Sequence, residues 1–143
     1  MTDAAASVDL ELQGHVGYLI RRAQQHHVAA WSRIVSTEIS SVQYAILVVL
    51  DALGSGSQRE LCDEVDLDRS TVADLVSRME KRGLVRRWRD PADARRNTVT
   101  LTDLGREERH RLTPLVHEVQ RELTGPLDEE SRLQLRELLR RIL

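Results

Sequence analysis

Leu61-Cys62-Asp63-Glu64-Val65-Asp66-Leu67-Asp68-Arg69-Ser70-Thr71-Val72-Ala73-Asp74-Leu75-Val76-Ser77-Arg78-Met79 is the stretch that decides the fold. Leu61, Val65, Leu67, Val72, Leu75, Val76 and Met79 recur at steps of three, four and seven, the spacing of helical faces turned inward. A turn near Val65 to Asp68 divides the stretch into two short helices. The second helix then turns Arg69, Ser70, Thr71, Asp74, Ser77 and Arg78 outward. Hydroxyls at the start of a helix reach phosphates or base edges, and a guanidinium takes guanine bidentately, so this face suits the major groove of a DNA duplex. Asp74 is the odd member. A carboxylate near phosphates is unfavourable unless it accepts from cytosine or pairs with a cation such as Arg78 at i+4, and the pairing is the expected role.

Immediately downstream, Gly83 is placed to end the helix in the left-handed conformation. Leu84 to Arg89 and Thr98 to Thr102 are short β-branched or alternating runs around an Asp90-Pro91 loop, which predicts a two-stranded hairpin. From Arg69 to Arg96 there are nine Lys or Arg against four Asp or Glu, a local charge of +5; the chain totals −2, so the remainder carries −7. Taken globally, that charge and a pI near 6.2 argue against a nucleic-acid partner, but the phosphate interaction depends on clustered cations, and here they are clustered. Arg86, Arg87, Arg89 and Arg96 are candidates for phosphate contacts or simply for solubility. Trp88 is expected to pack at the base of the hairpin.

These motifs resemble the MarR family of winged helix-turn-helix transcriptional regulators. The resemblance runs from Asp68-Arg69-Ser70-Thr71-Val72-Ala73-Asp74-Leu75-Val76, through Met79-Glu80-Lys81-Arg82-Gly83-Leu84-Val85, to a wing motif Asp93-Ala94-Arg95 and a closing Leu101-Thr102-Asp103-Leu104-Gly105. It covers about the central third of the chain. The resemblance implies a mainly α fold with a two-stranded wing, flanked by N- and C-terminal dimerisation helices, and a homodimer on a palindromic operator that is released by a small ligand or oxidant. It further implies that Arg95 enters the minor groove, that Asp93 orients Arg95, and that effectors are aromatic carboxylates, phenols or acyl thioesters.

Around the motif, 143 residues at 41% hydrophobic content suit one domain spanning 1–143, with few aromatics, so that Leu and Val fill the core. Its expected parts are helices within 9–35 and 103–143 for dimerisation and a winged helix-turn-helix over 41–102. Leu12, Val16, Leu19, Ile20, Ala23, Ala30, Trp31 and Ile34 predict a long first helix from about Asp9 to Val35. Ser40 with Gln43 and Ser57 with Glu60 each read as a capping box. Thr102 is placed to cap a helix that Pro114 should kink or restart, and Leu135, Leu138, Leu139 and Ile142 form the face of a last helix. The apolar surface of the first and last helices exceeds what one small winged core needs, which points to a second copy of the chain.

A ligand site is suggested by His15, Tyr18, Leu19, Arg22 and His26 on one side of the first helix, with Trp31 and Tyr44 as walls; an aromatic, an arginine and a histidine together can hold an aryl acid, or they line the dimer seam. Cys62, the single cysteine, reads as a small buried hydrophobe in a reducing compartment. His110 and His117, seven apart, are too widely spaced for metal ligands and read as surface residues. No phosphate-cradling glycine loop, nucleophile elbow or paired His-Glu motif is present, so no enzyme, cofactor or metal is expected. With no apolar stretch long enough to span a bilayer, the expected place is the cytoplasm. A constitutive or architectural winged-helix DNA-binding protein without effector is the alternative to a ligand-responsive repressor.

Overall fold

The computed structural model describes residue 8 and residues 10–143, and of positions 94 and 95 only the backbone. The elements in order are α1 (Val16–Ile34), α2 (Ser41–Leu53), β1 (Ser55–Ser57), α3 (Gln58–Val65), α4 (Arg69–Lys81), β2 (Val85–Asp90), β3 (Asp93–Leu101), α5 (Asp103–Leu123) and α6 (Glu129–Ile142). They divide into two compact units, one built from the ends of the chain (through Val35, and Val116–Leu143) and one from Ser36–Leu115. No helix among the described residues is long and apolar enough to cross a membrane.

The middle unit is assembled by caps and aliphatic burial. Ser40 and Gln43 form a reciprocal capping box at α2, and Ser57 and Glu60 form another at α3. Each satisfies two of the amide protons that a helix start leaves without partners. After α3 the chain reverses through Asp66 in the left-handed region (φ 52°), with Leu67 N–H returning to the Cys62 carbonyl at 3.2 Å. Asp68 then caps α4. Ile39, Ile46, Leu47, Leu50, Leu61, Val72, Val76, Met79, Leu84, Val85, Val99 and Leu112 are buried, a core of branched aliphatics and one methionine. Cys62 is half-buried beside them.

Gly83, at φ 75°, ends α4, and Leu84 N–H reaches back to the Met79 carbonyl at 3.0 Å. The wing strands then join a three-stranded antiparallel sheet in the order β1-β3-β2, with β3 central and β2 at one edge. The hairpin was legible; the third strand was not. Ser55-Gly56-Ser57 has no apolar alternation to announce a strand, yet it pairs with Thr100, Val99 and Thr98. β3 also begins earlier than the apolar run from Thr98 suggests, because Asp93 already pairs with Asp90 across a register irregularity next to Arg89. The sheet is pinned to α5 at one close approach: a Cβ on Gly105 would lie 1.9 Å from the Leu84 carbonyl oxygen, so only glycine fits. Thr102 caps α5 by accepting from Gly105 N–H at 3.0 Å.

The end unit holds α1, α6 and the last turns of α5. The expected first helix is broken, since Gly14 and His15 N–H bond to the Glu11 and Leu12 carbonyls and His15 is extended (φ −97°, ψ 111°). Glycine's conformational freedom favours this turn over continuation, and α1 starts at Val16. Pro114 does not restart α5, which runs through it as one helix; a single lost hydrogen bond is tolerated where Leu112 and Val119, on either side, are buried. Ala30 and Trp31 are the buried residues of α1, with the Trp31 ring 5.9 Å from that of His27. None of α6 is buried. Its attachment is polar: Arg132 Nε donates to the Thr124 carbonyl at 3.2 Å.

Candidate nucleic-acid interface

The outward face of α4 carries the expected residues with three refinements. First, the Ser70 and Thr71 hydroxyls both donate to the Asp68 carboxylate, Thr71 at 2.6 Å, and Thr71 N–H donates to the same group at 3.0 Å. These bonds, that of Ser70 foremost, hold the Asp68 carboxyl far below the usual carboxylate range. An ionised carboxylate only accepts, so each hydroxyl uses its proton there and presents lone pairs outward. Such oxygens suit the amino groups of adenine or cytosine; to bind phosphate they must release Asp68. Second, Asp74 pairs with Arg78 at 2.9 Å, the i+4 pairing that the spacing suggests. Third, Ser77 is half-buried, while Arg69 and Arg78 are exposed.

On the wing, Arg86, Arg89 and Arg96 are exposed. Arg87 is not a free cation. Its Nε and Nη2 meet Glu80 Oε2 at 2.8 and 2.6 Å, and both side chains are about one-third exposed. The Arg87 guanidinium lowers the Glu80 carboxyl from its ordinary value. Trp88 points to the opposite face of β2 from Arg87 and leaves 48% of its surface in solvent, so it is not packed into the base of the wing; strand alternation, with Val85 buried, puts it outside. Asp93 lies at the start of β3, and the Arg95 side chain falls outside the described residues.

Between the start of α3, Arg69 and the wing lies an open cleft of about 550 Å³, lined by Ser57, Gln58, Arg59, Glu60, Arg69, Asp93, Arg96 and Asn97. It brings Arg59 to the two arginines expected at the interface. The Gln58 Nε2 donor is buried without a hydrogen-bond partner among the described residues. Glu60 is committed to its cap: the bond from Ser57 N–H, and then Arg96 nearby, lower its carboxyl. Three guanidinium groups, those of Arg59, Arg69 and Arg96, line this cleft beside the Glu60 and Asp93 carboxylates, and clustered cations of this kind are what an anion such as a phosphate needs. Sequence reasoning passed over Gln58 and Arg59 because they sit inside a capping box; only the fold brings that box to residues 93–97.

The residues proposed for a ligand are partly gathered. Arg22 Nη1 donates to the Tyr18 hydroxyl at 3.2 Å, and the guanidinium carbons of Arg21 and Arg22 lie 5.5 and 5.8 Å from the Tyr18 ring centre. His15 and His26 are exposed on the same unit, and Trp31 is buried in it. Tyr44 belongs to the middle unit, where its hydroxyl is 3.1 Å from Thr113 Oγ1.

A family model, that of the MarR family, matches residues 39–97. The PcaV transcriptional regulator from Streptomyces coelicolor, solved with its natural ligand, superposes with a TM-score of 0.88 at 40% identity, covering 92% of this chain and 93% of that one. The chain belongs to the MarR family. The HTH-type transcriptional repressor NicR of Pseudomonas putida is 29% identical over 99% of this chain and 92% of its own. The structure of Bordetella bronchiseptica BpsR, described in terms of regulation of its DNA binding by 6-hydroxynicotinic acid, gives a TM-score of 0.83 at 30% identity, over 89% of this chain and 97% of that one. This MarR protein is therefore a winged-helix transcriptional regulator and not an enzyme; α3 and α4 are its helix-turn-helix, and β2 and β3 its wing.

Proposed function

We propose that the chain is a ligand-responsive repressor that acts in the cytoplasm, binding a palindromic operator as a homodimer and leaving it when an aromatic acid binds. The observation that carries the reading is the arginine cleft, where Arg59, Arg69 and Arg96 line one opening beside the outward face of α4. In this reading the cleft holds the phosphate backbone, Ser70, Thr71, Arg78 and Ser77 meet base edges in the major groove, and Arg95 takes the minor groove. Asp74 aligns Arg78, and Asp93 aligns Arg95.

Dimerisation is supported by apolar surface without cover. Val16 (64% exposed), Leu19, Ile20 and Val28 on α1, and Leu133, Leu135, Leu138, Leu139 and Ile142 (63%) on α6, face solvent in the single chain. Pairing these faces about a two-fold axis buries them and sets two α4 helices about 34–36 Å apart, one turn of DNA. For the effector, the support is the Tyr18 ring with its two arginines, with His15, His26 and Trp31 on the same unit as further candidates, and the relation of BpsR to an aromatic acid; Tyr44 is a candidate by sequence alone. Acyl thioesters are the second class to try. An effector releases DNA only through a higher affinity for the conformation that misplaces the recognition helices.

The test is a pair of measurements on the wild-type protein. Duplexes selected from genomic fragments are expected to contain inverted repeats and to be released by a hydroxylated benzoic or nicotinic acid that also raises the melting temperature. Selection of an operator with no shift from any aryl acid or thioester would favour a constitutive DNA-binding protein instead.

A further inference from the structure

The Glu80–Arg87 pair joins the two parts of the interface. Glu80 lies on α4 and Arg87 on β2. Arg87 reaches Glu80 with Nε at 2.8 Å, with Nη2 at 2.6 Å, and with its backbone N–H at 3.4 Å, so one carboxylate holds both the side chain and the strand. Two guanidinium nitrogens converge on Glu80 Oε2 while the backbone N–H reaches Oε1, and three donors on one carboxylate fix orientation as well as distance. Arg87 lies amid Arg86 and Arg89, and by sequence all three are equivalent candidates for phosphate contacts or for solubility. The fold separates them: among the described residues Arg86 and Arg89 have no ion-pair partner, whereas Arg87 is neutralised in place.

Gly83 and Leu84 are the short connection between α4 and β2. Its lower end is fastened, because Leu84 N–H bonds to the Met79 carbonyl, Thr102 N–H bonds to the Leu84 carbonyl at 3.1 Å, and the Thr102 hydroxyl donates to the Gly83 carbonyl. Those contacts hold the root of the wing. The Glu80–Arg87 pair is a separate tie between helix and strand.

We propose that Arg87 is a positioning residue whose pairing with Glu80 sets the angle of the wing on the recognition helix, so that major-groove and minor-groove contacts are made together, and that it does not bind phosphate. The proposal rests on the reading of α4 and the wing as a DNA interface. It assigns the pair to specificity for extended sites: breaking it uncouples the wing without removing a DNA contact.

The test uses full-length protein and two duplexes. One is a duplex selected from a random pool by the wild type; the other keeps its central positions and replaces the wing-contacted flanks with G·C pairs. Glu80→Ala and Arg87→Met are each expected to lose about tenfold in affinity for the selected duplex, the size of one lost groove contact. Neither changes affinity for the flank-replaced duplex, and neither changes the salt slope. The double variant loses no more than either single variant, as expected for two members of one interaction. Glu80→Gln, the milder change, loses less in the same direction, and it carries the test should Glu80→Ala fail to fold.

Tighter binding of every duplex by the Glu80 variants, or a salt slope lower by about 0.9 in Arg87→Met, would make Arg87 a phosphate ligand and overturn the proposal. Equal losses on both duplexes would reduce the pair to a stability role and overturn it too. If the wild type selects no duplex even at low salt, the interface reading itself falls; selection by the wild type combined with either earlier outcome leaves that reading standing.

Discussion

The middle of the chain and its two ends solve the same physical problem differently. Ser36–Leu115 buries its large aliphatics within itself and ties its elements together with Asp51 to Arg106 and Arg109 at 3.2 and 3.1 Å, Glu38 to Arg82 at 3.0 Å, and Glu80 to Arg87. Among the described residues of the ends, Arg33 pairs with Glu122 and few side chains are buried, none of them on α6. A helix of 14 residues with no buried residue gains little from its own propensity and is normally held by packing. The contrast teaches that the middle unit buries its own core, whereas the ends leave apolar faces exposed, the surface that the proposed dimer would cover.

The strongest challenge to that contrast is to spoil the ends while sparing the middle. Leu135→Asp with Leu139→Asp is expected to give a monomer by sedimentation and to lower operator affinity by about a hundredfold or more, since two linked half-site contacts become independent. Helical content and the middle unit's core should survive. A dimer of unaltered affinity would show that α6 is not the seam. Conversely, Leu50→Ala in the buried core should cost about 2–5 kcal/mol in a urea titration, because a cavity adds to the lost transfer energy. An exposed counterpart on α6, Leu133→Ala, should cost less if that position lies off the seam.

Within the middle, Arg95→Ala is expected to weaken operator binding by about 1–3 kcal/mol at fixed salt and to relax preference at the flanks. Arg59→Ala should instead weaken all duplexes alike and lower the salt slope by about 0.9. An unchanged gel-shift midpoint removes either residue from the interface.

The smallest effect is in acid. Glu80, held down by the Arg87 hydrogen bond, and Glu108, held down by Arg111, both have carboxyl groups below their ordinary 4.5. Each therefore adds stability that is fully present above about pH 4.5 and is lost as the pH falls through the lowered folded value. Glu80→Gln should flatten the acid limb of the melting-temperature profile slightly; an identical profile would mean that the pair is equally formed in the unfolded chain.

What was legible in the chain was local. Ser40–Gln43, Ser57–Glu60, Gly83 and Thr102 announce helix ends because a cap is a bond between near neighbours. The i+4 partners Asp74 and Arg78 were readable for the same reason. What escaped is non-local. The Ser55–Ser57 strand exists only because β3 passes beside it, and Arg59 joins the arginine cleft only because the wing folds back over α3. Arg87 could not be told from Arg86 or Arg89 without knowing that Glu80 faces it. The break at Gly14 was hidden by apolar periodicity that continues on either side of it.

In the proposed dimer two chains, clasped through their ends, present two α4 helices one DNA turn apart. Measuring affinity for a selected inverted repeat before and after inserting five base pairs between its halves tests this most directly, because half a turn puts the second half-site on the opposite face of the duplex. Two chains per native duplex and a loss of about a hundredfold or more on insertion are expected of this dimer. One chain per duplex, with the same affinity for both spacings, would contradict it.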